Sequence, residues 1–481
     1  MAKGYLPTLY IDRVVVQTGS LPTCDGLEAW RRSHSMNRKP EAPLLGAIAD
    51  DYTGGADLAG MLSERGVHTV QILGLQSDEL VWQLCGYQAI VISLKARSST
   101  VSEACSLSAQ ALDQLTRLGV RQVQFKYCST FDSTRQGNIG PVIDLLMENL
   151  RTPFTLAVPA LPVNGRTQYL GHLFVGTQLL SDSHMRCHPL TPMTESNLVR
   201  HLQSQTRRKV GLVAYPTVRR GTASILHECC RLRVDGVAIA LVDAMTDQDL
   251  HEISEAALDL PLITGSSGLV GALPAIWRRR GWLASGARAP CARPAITTDM
   301  VLIISGSCSA VTLQQIQQFL SFGGRLISID PLRVLAHGPE AEIALLLSAV
   351  KRAIDNERAI MVSSSAGPTE REKTARELRT HDVAPDRICR LIEQTFAGLA
   401  VRIVHNGLSS RVIVAGGETS GAVVDALQIR AAEVMGLIDP GVPYLKSIGG
   451  QPLALALKSG NFGGPDFFMR ACHLLRGICL E

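Results

Sequence analysis

No run of eighteen apolar residues occurs in the chain, so no segment is built to cross a bilayer as a helix. The N-terminus also lacks the basic, then apolar, then small-residue order of a secretory leader. Twelve cysteines are scattered without a Cys-x-x-Cys pair, and only Cys229 and Cys230 are adjacent, which argues against a zinc cage and a secreted disulfide framework. Charged residues make up only 19%, and the 47 basic and 43 acidic side chains are interspersed, so the net charge of +4 forms no basic stripe for nucleic acid. Neither G-x-x-x-x-G-K-[ST] nor a G-x-G-x-x-G after a strand is found, which removes Walker-type and common dinucleotide sites. These absences lead to the expectation of a cytoplasmic protein without nucleic-acid or membrane partners; a homodimer is expected from base rates alone.

What is present is 481 residues that are 46% hydrophobic, enough apolar material for two cores. From Leu44 onward, short strand-like runs such as LLGAIA, AIVIS, VQFKY, TLAVPA and VAIALV alternate with helical patterns, which indicates parallel sheets covered by helices. The pattern is interrupted in the Ala-, Gly-, Pro- and Arg-rich stretch after Arg280, then restarts with VLIIS, RLISI, IMVSS, RVIVAG and LALALK. The expected fold is α/β with two domains, 43–284 and 299–481, joined by a linker at 285–298. Each is built on a mainly parallel sheet flanked by helices, and the active site lies in the cleft between them. Residues 1–40 carry no periodicity and form an atypical extension, and Met36 is the expected natural start.

Three strand-to-helix turns in the second half share one chemistry: SGSCS (305–309), GGETS (416–420) and SGNFGGP (459–465). Glycine lets the backbone approach a ligand closely; Ser309, Thr419 or Ser420 can cap the following helix, and Pro465 suits a first helical position. Unpaired amides at helix starts then face an anion. Each turn alone is also how ordinary connections are made, but three on one sheet edge point to a nucleotide. Lys458 either reaches a phosphate or stands solvated at its strand end.

In the first half, ADDYTGG places Asp50 and Asp51 beyond a buried strand, one to cap a helix and the other to serve as base, hydroxyl acceptor or indirect magnesium ligand. Lys95 and Arg97 follow another strand, where the guanidinium suits a substrate carboxylate or else a solvated surface. The segment KYCSTFDSTRQGNIGP carries Lys126, Ser129, Thr130, Asp132, Ser133, Thr134 and Asn138, a density that suits a polyhydroxylated ligand or a loop held by its own bonds. His172, His184 and His188 lack metal-ligand spacing and are expected to be structural. The Gly/Ser turn ITGSSGL is a candidate wall of the cleft.

Taken together, ADDYTGGADLA, KYCSTFDSTRQGNIGP, NGRTQYLGHLFVG, HPLTPMTESNLVR, AGGETSGAV and LKSGNFGGPDFF resemble the four-carbon acid sugar kinase family from about residue 43 to the C-terminus. The resemblance implies an acid-sugar-binding domain followed by a nucleotide-binding domain. ATP would donate its terminal phosphoryl group to the 4-hydroxyl of a four-carbon sugar acid, first a 3-oxo-tetronate, alternatively erythronate or threonate. The ATP side would fall on Ser305, Ser307, Ser309, Gly416, Gly417, Glu418, Thr419, Ser420, Gly460 and Asn461. The acid-sugar side would fall on Asp50, Asp51, Arg97, Lys126, Ser129, Thr130, Asp132 and Ser133. Tyr52, Gly55, Thr177 and Pro465 depart from the family pattern, the last where an acidic residue is usual, so no magnesium ligand is assigned. Phosphoryl transfer asks for alignment and charge neutralisation, usually with Mg²⁺. Arg97 and Lys126 are expected to fix the carboxylate and Asp51 or Asp50 to take the hydroxyl proton, with Asp132 as the rival base. A dehydrogenase or a non-catalytic sugar-acid-binding protein is the competing class.

Overall fold

The computed structural model describes residues 42–187, 191–284, 300–365, 367, 372, 376, 377 and 385–477. The 1–40 extension, the 285–298 linker and His188 lie outside the described residues. Among the described residues no helix is long and apolar enough to cross a membrane.

The continuous apolar runs are strands buried on both faces, as a parallel sheet between helical layers requires. In the N-terminal half these are β1 (Leu45–Ala49), β2 (Thr69–Leu73), β3 (Ala89–Ser93), β4 (Gln122–Lys126) and β5 (Thr155–Val158). A small antiparallel meander follows, β6 (Arg166–Tyr169), β7 (His172–Val175) and β8 (Gln178–Leu179), and then β9 (Val210–Val213), β10 (Ile239–Val242) and β11 (Leu262–Gly265). The C-terminal half contributes β12 (Val301–Ser305), β13 (Arg325–Ser328), β14 (Ala359–Ser363), β15 (Arg411–Ala415), β16 (Ala431–Asp439), β17 (Val442–Ile448) and β18 (Ala454–Lys458).

Two separate sheets were expected; the halves instead share one 15-stranded sheet in the order β13, β14, β12, β15, β18, β17, β16, β2, β3, β1, β4, β11, β5, β10, β9. The join is made by β16, which pairs antiparallel with β2 (Ala431 with Ile72, Ala432 with Gln71, Glu433 with Val70) and antiparallel with β17. An unpaired strand edge exposes a row of backbone donors and acceptors, and the β16–β17 hairpin satisfies the β2 edge and the β18 edge at once.

Register decides where the polar turns go. Ala49 lies level with Ser93 and Lys126, and Lys126 with Gly265, so the turns after β1, β3, β4 and β11 open on one edge. Ser305 is level with Ala415, and Ala415 with Lys458, so the turns after β12, β15 and β18 do the same. In a parallel sheet these carboxyl ends are where ligands bind.

Candidate functional site

One cleft of about 410 Å³ is lined from both halves. Asp50, Gly54, Asp57, Arg97 and Lys126 face it from one side, and Gly417, Glu418, Ser459, Asn461 and Phe462 from the other.

On the first side, Asp51 is the N-cap of the helix Tyr52–Glu64, its Oδ1 accepting from the Gly54 amide at 2.7 Å and its Oδ2 from the Thr53 hydroxyl at 2.9 Å. Asp50 is held differently. The Arg97 guanidinium forks onto it at 2.9 and 2.7 Å and also donates to Asp51 at 2.9 Å. The fork expected to take a substrate carboxylate is therefore already occupied by a carboxylate of the protein. Burial holds Asp50 above the usual carboxylate range despite that fork. Burial pushes Asp51 up too, but Arg97, Lys126, Thr53 and the Gly54 amide outweigh it and the group ends below its ordinary value.

The Lys126 side chain is buried and forms no ion pair among the described residues, although its charge acts on Asp50, Asp51 and Asp57. It passes over Gly54, where a Cβ would lie 2.9 Å from its Nζ and 2.3 Å from Asp51 Oδ1. Only glycine leaves room there for the ammonium and the capping carboxylate together.

The polar loop after β4 is turned by Phe131, a buried residue with a left-handed backbone (φ 58). That conformation costs about 1–3 kcal/mol in a non-glycine residue, and the ring offsets it by packing edge-on to Tyr127 and His201. With Phe131 inward, Ser129, Thr130 and Asp132 line the cleft, Thr130 donating to Asp132 at 2.6 Å. Ser133 is not brought to it: its hydroxyl accepts from Gln205 and its carbonyl is bonded to the His201 ring. His184 lines the cleft, whereas His172 is bonded to the Leu170 carbonyl.

The three glycine turns of the C-terminal half meet. A Cβ on Gly306 would lie 2.2 Å from the Thr419 hydroxyl, and one on Gly460 would lie 2.4 Å from Ser307 Oγ. Ser309 caps the helix Ala310–Ser321 as expected, accepting from the Thr312 amide at 3.1 Å while donating to the Gly460 carbonyl at 2.6 Å. Two caps differ from expectation. The helix Gly417–Ala426 is capped by Gly416, in a left-handed conformation (φ 129) that L side chains avoid, which places Thr419 and Ser420 inside the first turns. The last helix, Phe467–Arg476, is capped by Asp466, leaving Pro465 outside it. Ser305 is fully buried against Ser365 at 3.0 Å and supports the turn from beneath.

Lys458 is not solvated. It is completely buried, donating to Thr312 Oγ1 at 3.2 Å and to the Ser459 and Gly460 carbonyls at 3.0 Å each. Burial draws its ammonium down to about 7, with Asp439 opposing.

Ser267 and Phe462 line the cleft from the turns ITGSSGL and SGNFGGP that the sequence had marked, whereas Asp57 and Arg166 were not singled out. Asp57 was findable, since it follows Thr53 and Gly54 by four and three residues and shares their helix face. Arg166, at the start of the meander, had no local signal; its Nε is buried without a partner at the cleft wall.

No set of three His, Cys, Asp or Glu side chains among the described residues forms a metal cage. Magnesium bound with ATP needs only one or two carboxylates besides the phosphates, and Glu418, in the first turn of its helix and facing the cleft, fits that need.

Compared with known proteins, residues 45–273 match the family of sugar-binding N-terminal domains and residues 302–468 that of nucleotide-binding C-terminal domains. A 3-oxo-tetronate kinase of Pseudomonas savastanoi pv. phaseolicola is 44% identical over 442 residues, covering 92% of this chain and 100% of its own. The Haemophilus influenzae 3-oxo-tetronate kinase is 42% identical over 426 residues, covering 88% and 98%. A solved protein of Salmonella typhimurium LT2 superposes with a TM-score of 0.77 at 39% identity, covering 89% of this chain and 98% of that one.

Proposed function

Because the chain belongs to the four-carbon acid sugar kinase family and is a phosphotransferase with an alcohol group as acceptor, we propose that it transfers the γ-phosphoryl group of ATP to the 4-hydroxyl of 3-oxo-tetronate. The observation that carries the reading is a single cleft walled by hydroxyl-rich loops on one side and by glycine turns at helix starts on the other.

In this reading the turns at Ser307–Ser309, Gly416–Glu418 and Gly460–Asn461 cradle the polyphosphate with backbone amides and hydroxyls. Lys126 and Arg166 receive the sugar-acid carboxylate, because Arg97 is spent on Asp50. Ser129, Thr130 and Asp132 hold the hydroxyls. Glu418 is the side chain that would hold Mg²⁺, which neutralises phosphate charge when bound. Asp50, Asp51 and Asp132 are the carboxylates proposed from sequence to take the hydroxyl proton. Each oxygen of Asp50 and Asp51 already accepts a hydrogen bond, from Arg97 on Asp50 and from the Gly54 amide, Thr53 and Arg97 on Asp51, so neither carboxylate presents an oxygen without a protein donor.

A coupled ADP-release assay across 3-oxo-tetronate, erythronate and threonate, with an NAD(H) absorbance control, tests the reading. ADP release with 3-oxo-tetronate, at a kcat/KM above that of the other two acids, is the expected result. Hydride transfer to or from the nicotinamide, or binding without ADP, would replace the proposal by a dehydrogenase or a binding protein. Light scattering on the same preparation reads whether the 51.8 kDa chain is the expected homodimer.

A further inference from the structure

Asp57 is a buried carboxylate that the proposal above leaves without a role. It is 4% exposed, sits one turn beyond Gly54 in the helix Tyr52–Glu64, and lines the cleft. Its Oδ2 accepts from the Ser267 hydroxyl, which rises from the Gly/Ser turn after β11. Its Oδ1 accepts from no described group. That free oxygen lies at the seam between the halves: a Cβ built on Gly441, in the turn between β16 and β17, would lie 3.2 Å from Asp57 Oδ1 and 3.1 Å from a ring carbon of Phe462. Phe462 belongs to the glycine turn after β18. A sugar-acid hydroxyl held in the cleft and a phosphate held on that turn would meet here.

We infer that Asp57 is the base of the transfer. The inference rests on the kinase reading and deepens it. The acceptor hydroxyl gives its proton to Asp57 Oδ1, its oxygen forms a bond to the γ-phosphorus, and the bond from that phosphorus to the bridging oxygen breaks, its electron pair leaving with ADP. Asp50 has both oxygens held by Arg97, and Asp51 has its own engaged by the Gly54 amide, Thr53 and Arg97. Asp132 keeps one oxygen free but is bonded into its own loop through Thr130. Among the described cleft carboxylates, Asp57 combines a fixed orientation, an open oxygen and a place at the seam. The charged groups facing it are Lys126 from the end of β4 and Asp51 from the helix cap; Ser267 is the neutral donor. Burial leads the shift that holds its pKa above the usual carboxylate range, which moves a base toward the operating pH.

The test measures kcat and KM against pH for the full chain and for Asp57→Asn, Asp51→Asn and Ser267→Ala with ATP and 3-oxo-tetronate. Asp57→Asn is expected to lower kcat by about 10²- to 10⁴-fold with little change in KM for ATP, and to remove the acid limb of the kcat profile. Asp51→Asn is expected to keep that limb. Ser267→Ala removes a donor that favours the ionised carboxylate, so the limb moves to higher pH; this readout stands even if Asp57→Asn fails to fold. Asp57→Asn turning over within about threefold of the parent, or a limb unmoved in Ser267→Ala, overturns the assignment while leaving the kinase reading intact. An unmodified enzyme that releases no ADP with any four-carbon acid sinks both.

Discussion

Lys458 shows how one buried residue can order the turns around it. Its ammonium ties Thr312 to the Ser459 and Gly460 carbonyls and so fixes the turn after β18 against the turn after β12. Removing it takes one donor from each of those groups while the Gly460 carbonyl keeps its bonds from Ser309 and Thr312 and the Ser459 carbonyl its bond from the Phe462 amide, at about 0.5–1.5 kcal/mol for a hydrogen bond lost. Denaturant midpoints of Lys458→Met should show a loss of that size. Its charge adds a pH signature. With the folded value near 7 and the unfolded value in the ordinary lysine range, the unfolded chain binds more protons between those limits, so this group's contribution to stability rises with pH across the window and is lost as pH falls toward 7. A polyanion on the neighbouring turns favours the ammonium, so ATP binding at pH 7.5 should take up part of a proton. Calorimetry in two buffers of different ionisation enthalpy measures it, and equal uptake by Lys458→Met would disprove the origin.

The helix Gly417–Ala426 is an element with two tasks. Its start belongs to the nucleotide-side turns, and Asp425 at its other end accepts from Tyr52 at 3.2 Å and from Lys95 at 2.5 Å, both from the N-terminal half. Burial, then Asp425 itself, keeps the Tyr52 phenol above its usual range, so it remains a donor throughout the working pH. The Lys95–Asp425 pair is half exposed, and such a pair contributes about 0.2–1 kcal/mol. Asp425→Ala should therefore leave the thermal midpoint nearly unchanged while turnover falls several-fold, because the helix that presents the proposed phosphate turn loses its tie to the N-terminal half. A midpoint that drops as sharply as kcat would show that the tie is structural only.

At the scale of the molecule, the two halves are welded by three residue pairs between β2 and β16 and by packing of the helix Tyr52–Glu64 against both β16 and β17. Gly60 of that helix comes so close to Leu437 and Pro443 that a Cβ there would lie 2.4 Å from one and 3.1 Å from the other. A shared sheet and shared packing couple the halves on unfolding, so scanning calorimetry should give one transition that ATP shifts as a whole. Two transitions, with ATP moving only one, would show that the weld carries little energy.

The sequence by itself determined the elements whose physics is local. Apolar runs such as LGAIA and VLIIS are long enough to be strands buried on both faces, and the glycines and hydroxyls that follow them bear their chemistry wherever they are placed. The β16–β17 hairpin, Arg166 and the seam around Asp57 were not legible, because each depends on a partner far along the chain: β16 on β2, Arg166 on a meander folded over the cleft, Asp57 on Ser267 and Gly441. Tertiary structure also decided the fate of charges that sequence left open. Whether Arg97 is free or forked onto Asp50, and whether Lys458 is wet or dry, follows from what burial removes from water and which group is then near enough to replace it.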